Sequence, residues 1–81
     1  MEAERLDDPA IVRRALAAWY GTDETEAPGH PDPAASHHVR LAGHEYVVLR
    51  DVNSLLAIYR LRNDGKLKRL RRWPRELENN P

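Results

Sequence analysis

An 81-residue chain without cysteine can use neither disulfides nor thiolate metal sites to hold itself together, and at this length it forms one domain, 1–81, with a thin margin of stability. Thirteen basic and thirteen acidic residues cancel, and no apolar run approaches the ~18 residues of a membrane span. The acidic opening "MEAERLDDP" lacks the apolar core of a signal peptide, so a cytoplasmic location is expected.

The neutral total hides an uneven distribution. Residues 1–36 carry eight acidic and three basic side chains, whereas residues 37–81 carry five acidic and ten basic. Such asymmetry fits either an anionic partner or two halves that neutralise each other on packing.

Asp8-Pro9 reads as a helix start, with Asp8 as N-cap and Pro9 at the first helical position. Ile11, Val12, Ala15, Leu16, Ala18 and Trp19 then recur at three- and four-residue spacing, which predicts an amphipathic helix over 9–20. Arg13 and Arg14 fall on its opposite face. Gly21 is expected to close it in a left-handed conformation. Residues 21–36, "GTDETEAPGHPDPAAS", hold three prolines, two glycines and no large apolar side chain. That composition has little to bury and predicts a mobile linker.

From His37 the apolar period becomes two. "HHVRLAGHEYVVLRD" divides at Ala42-Gly43 into strands over 37–41 and 45–50, "VNS" makes a turn, and "LLAIYRLR" gives a third strand over 55–62. "NDG" at 63–65 is a hairpin signal. The following "KLKRLR" therefore reads as a fourth strand, with a short helix as the alternative because Leu67, Leu70 and Trp73 also fit three-residue spacing. Pro74 ends either element, and 74–81 reads as a polar tail. The expectation is an α+β fold: one N-terminal helix on an antiparallel β-meander of three to four strands within 37–73, either open or curled.

The central strands are apolar on both faces. Val47 and Leu49 oppose Tyr46 and Val48, and Leu55, Ala57, Tyr59 and Leu61 oppose Leu56 and Ile58. A sheet with one wet face alternates more cleanly, so both faces need cover. The helix supplies one. For the other, three covers stand open: a curled sheet, a folded-back Trp73-Pro74-Leu77 segment, or a second chain in a homodimer or complex.

Catalytic chemistry finds little support. Ser36, Ser54, Thr22 and Thr25 lie in linker or turn segments without a nucleophile motif. Glu45 at a strand start and Asp51 in a turn read as solvated carboxylates. His37 and His38 are adjacent and point to opposite strand faces; His44 is within reach of His38 across the hairpin, and His30 lies in the linker. No zinc-ligand spacing or phosphate loop appears, so the four histidines read as surface residues and no metal, cofactor or catalytic residue is expected.

The stretch "KLKRLRRWPRE" carries six basic side chains around Leu67, Leu70 and Trp73. If 55–72 form a hairpin, Arg60 and Arg62 stand near Lys66, Lys68, Arg69, Arg71 and Arg72, crowding seven cations at one end of a ribbon. Such a ribbon fits a protein partner, with the cations also blunting an exposed edge. The other reading is nucleic acid, with the ribbon on phosphates and Tyr59 and Trp73 stacking bases. The stretch "YVVLRDVNSLLAIYRLRNDGKLKRLRRWP" resembles those of short bacterial proteins, including ones carried by phage and mobile elements, which implies an accessory or inhibitor role. The expected function is thus a non-enzymatic interaction protein that binds or inhibits a protein partner through the ribbon and an apolar sheet face. A homodimer is an equivalent occupant, nucleic acid is the alternative, and no membrane is involved.

Overall fold

Asp8 starts the helix as its sequence context predicts. Its backbone is extended, its carboxylate accepts from the Ala10 N–H at 3.0 Å, and Pro9 fills the first turn of α1 (Pro9–Tyr20). Gly21 follows, but at φ −86° rather than in the left-handed region. Its N–H donates to the Ala17 carbonyl at 2.9 Å, and an added Cβ would stand 3.1 Å from that oxygen. Tight approach to the last turn, not a positive φ, is what suits glycine here.

The computed structural model describes residues 3–21, 30–51 and 54–79. Five antiparallel strands form one sheet: β1 (Glu4–Arg5), β2 (His37–Leu41), β3 (His44–Arg50), β4 (Leu55–Leu61) and β5 (Leu67–Arg69), lying side by side in that order. The α+β class holds, but with five strands in place of three or four. The extra one is β1, whose Glu4 and Arg5 pair with Arg40 and Val39. Two residues are too few to show an alternation, so this strand left no periodic signal. Among the described residues β1 and β5 stand at the two ends of the order and do not pair with each other, so the sheet is open and not a barrel.

Turn chemistry sets the register. Between β2 and β3, Ala42 and Gly43 both take positive φ, 52° and 81°, as a two-residue hairpin loop requires. Between β4 and β5, the Gly65 N–H donates to Arg62 O at 2.9 Å, the Arg62 N–H donates to Lys66 O at 2.8 Å, and Gly65 lies at φ 84°. The 66–71 stretch is therefore a strand of three residues, with no helical turn. Val52 and Asn53, read as part of a turn, lie outside the described residues.

A bulge changes one face assignment. Leu49 pairs with Ala57 and Arg50 with Leu55, leaving Leu56 as the extra residue. Leu55 consequently joins Ile58 and Val48 instead of Ala57 and Tyr59. Alternation alone cannot show such an insertion.

Both sheet faces are covered by this chain. On one side Val47, Leu49, Ala57 and Tyr59 pack under Ala15, with Ile11, Val12, Leu16 and Trp19 around them. On the other, Val39, Leu41, Tyr46, Val48 and Ile58 enclose Leu77, which is fully buried, flanked by Leu70 and Trp73. Residues 74–79 are thus not simply a polar tail: α2 (Arg75–Asn79) turns Leu77 into the second core, and the last two residues of the expected tail lie outside the described residues. Trp73 joins it, and its Nε1–H donates to Glu78 Oε1 at 3.0 Å.

Residues 30–36 also depart from the linker expectation. Pro31 and Ser36 are buried, and the Asp32 N–H donates to Arg50 O at 2.7 Å. Ser36 Oγ–H donates to Asp32 O at 2.9 Å while Oγ accepts from the Arg50 N–H at 3.2 Å. Backbone hydrogen bonds and two small residues hold this segment, so its lack of large apolar side chains was misleading. The rest of the expected linker, 22–29, lies outside the described residues.

His38 is a further correction, being 3% exposed. Its Nδ1 accepts from the Asp8 N–H at 3.3 Å and its Nε2 lies 2.8 Å from Glu45 Oε1. The ring ties the start of α1 to the β2–β3 hairpin, and Glu45 is a partnered carboxylate. Among the described residues no helix is long and apolar enough to cross a membrane.

Candidate binding surface

The seven expected site cations stand along the β4–β5 hairpin and just past it, but not on one surface. The register sets Arg60 directly opposite Lys68, and Tyr59 opposite Arg69. Consecutive side chains on a strand point to opposite faces. Arg60 and Lys68 therefore share the α2 side of the sheet, and Arg69 projects to the α1 side. There the Arg69 guanidinium lies 5.1 Å from the centre of the Trp19 ring. Lys66 is exposed at the turn, and Arg71 and Arg72 are exposed beyond the strand end.

Arg60, Arg62 and Lys68 meet around an open cleft of about 430 Å³, with Leu70, Asn63 and Asp64 completing its walls. Arg62 lies 3.9 Å from Asp64, an exposed pair worth at most about 1 kcal/mol. Arg60 is more fixed. Its Nη2 lies 3.2 Å from His44 Nδ1, and its buried Nε–H has no acceptor among the described residues. His44 does not approach His38 across the hairpin: its pairing with Leu41 at the hairpin end directs it to Arg60. Arg14 was also missed: its Nη2 donates to Gly65 O, linking α1 to the β4–β5 turn. No pattern in the sequence marks a contact between residues 51 positions apart.

The two aromatic side chains read as base-stacking candidates are engaged in the fold. Tyr59 is 3% exposed beneath α1, and Trp73 packs on the Leu77 core. Exposed large apolar side chains among the described residues reduce to Tyr20. The apolar sheet face, expected to help recruit a partner, is instead occupied by α2. No cluster of three or more His, Cys, Asp or Glu side chains capable of holding a metal ion occurs among the described residues.

No protein-family model matches the chain, and neither the curated proteins nor the solved structures yielded a match.

Proposed function

We propose that the chain is a non-enzymatic binding protein whose β4–β5 cleft receives a carboxylate-bearing segment of a protein partner. The observation that carries this is the Arg60–Lys68 pair. Like charges directly opposed on neighbouring strands cost stability, and here the same cleft holds a third cation and a buried Arg60 N–H without an acceptor. An incoming carboxylate relieves the repulsion by accepting from the Arg60 and Lys68 side-chain ends in charge-assisted geometry. A protein partner accounts for the surface better than nucleic acid does. Arg69 faces away from the cleft, Tyr59 and Trp73 are engaged in packing, and the acidic first half of the chain offsets the net charge that whole-domain phosphate binders carry.

The test is a titration of isotopically labelled full chain with a glutamate-rich peptide and with duplex and single-stranded DNA, at low and high salt. Amide shifts confined to residues 60–70 with the peptide, abolished by replacing Arg60, Arg62 and Lys68 with Gln, support the reading. Sub-micromolar DNA binding that weakens steeply with salt overturns it.

A further inference from the structure

A second cleft lies at the opposite end of the strand order, beside β1, and owes nothing to the cationic hairpin. It is an open groove of about 480 Å³ between α1, β1 and the chain entering β2. This is within the size range of small-molecule sites. Val12 and Leu16 supply half-buried apolar lining, and Arg5, Arg13, Asp7 and His37 supply its charged and titratable lining. We propose that this cleft binds a small monocarboxylate with an apolar body, the carboxylate held by Arg13 beside Arg5 and the body lying on Val12 and Leu16.

Three observations carry the assignment. First, Asp7 has φ 49°, and it is the one non-glycine residue of positive φ outside a hairpin loop among the described residues. Leu6 and Asp7 N–H groups both donate to His38 O, at 2.8 and 2.9 Å, and Arg5 Nε–H donates to both Asp7 carboxylate oxygens at 3.1 and 3.2 Å. The neighbourhood thus over-determines a strained residue, a condition that clusters at ligand sites. Second, the charges leave room for one anion. Burial, then the Arg5 charge, hold His37 below its ordinary pKa of 6.5, outweighing Asp7, with Arg50 adding to the lowering. With His37 neutral at pH 7, the two guanidiniums and the Asp7 carboxylate sum to a single positive charge, which one bound carboxylate neutralises, whereas a dianion would leave an uncompensated negative charge in the cleft. Third, Arg13 has no hydrogen-bond or ion-pair partner among the described residues, although it lines the same groove as the half-buried Val12 and Leu16. A planar guanidinium presents two parallel N–H donors to a carboxylate.

The experiment titrates labelled full chain with 4-phenylbutyrate, with neutral 4-phenylbutanol and with the dianion phenyl phosphate. Saturable amide shifts at Val12, Arg13, Leu16 and His37 are expected for the carboxylate. The alcohol is expected to bind about tenfold more weakly, the worth of one charged hydrogen-bonded contact. Arg13→Gln, on an exposed helix face, should remove that preference while leaving the remaining spectrum intact. Equal binding of acid and alcohol, tighter binding of phenyl phosphate, shifts confined to the β4–β5 hairpin, or no saturable shift each overturn the proposal. Because the two clefts lie at opposite edges of the sheet, failure here leaves the carboxylate-docking reading of the hairpin standing, and the converse also holds.

Discussion

Arg69 lies over Trp19, its guanidinium carbon 5.1 Å from the ring centre, and this contact separates one cation of the basic ribbon from the others. A cation on an indole face at a partly exposed site contributes about 0.5–1 kcal/mol. Arg69→Gln is therefore expected to lower the urea midpoint modestly and to alter tryptophan emission, with little effect on binding of an acidic peptide. Replacing Arg62 and Lys68, which line the cleft, by Gln should leave the midpoint nearly unchanged and weaken peptide binding. Equal loss of binding from the two variants would show that Arg69 contacts the partner as well.

The C-terminal segment completes the core of the sheet. Leu77 is fully buried among Val39, Leu41, Tyr46, Val48 and Ile58. Leu77→Ala should cost about 2–5 kcal/mol, and Trp73→Ala a similar amount through lost packing and the lost Nε1–H bond to Glu78. Both are read from chemical denaturation. A Trp73→Ala variant that melts like the parent yet loses its partner would make the tryptophan a contact residue.

The legible parts of the fold are those with local causes. The Asp8-Pro9 cap, the 3.6-residue stripe of α1, the Ala42-Gly43 and Asn63-Asp64-Gly65 turns and the two-sided apolar strands each depend on neighbouring residues. What escaped reading depends on distant ones. β1 exists because Arg40 and Val39 offer an edge, residues 30–36 are held by Arg50 and their own turn, and His38 is buried because Asp8 and Glu45 satisfy both of its nitrogens. The candidate cations were legible as a charge run, but their division between two faces needed the β4–β5 register.

Ser36 tests the pinned segment. Its hydroxyl bridges Asp32 O and the Arg50 N–H in a buried position. Ser36→Ala removes a donor and an acceptor while adding no bulk, and an unsatisfied buried group costs about 1–3 kcal/mol. Amide exchange should speed up at Arg50 and across 30–36. Unchanged exchange and stability would mean that the backbone bond from Asp32 to Arg50 suffices.

His37 gives a pH signature. Its folded pKa lies below the unfolded 6.5, chiefly through burial. The unfolded state thus binds the proton more readily, so this group's contribution to stability is present above pH 6.5 and is lost as pH falls from there toward the folded pKa. His37→Gln should flatten that part of the stability profile. Retention of the full slope in the variant would assign it to other groups.

Ala42 occupies the first position of the β2–β3 turn at φ 52°, a conformation in which its Cβ crowds the backbone. The left-handed region costs an L-residue roughly 1–2 kcal/mol relative to glycine. Glycine loses some of this advantage because its unfolded chain is freer, by about 0.4–1 kcal/mol. Ala42→Gly is therefore expected to stabilise the protein slightly. Ala42→Asn should stabilise it more, since asparagine tolerates the left-handed region and favours this turn without glycine's entropy. The order Asn, Gly, Ala in melting temperature is the checkable outcome. A lower melting temperature for both variants would show that the Ala42 methyl makes a contact outweighing its strain.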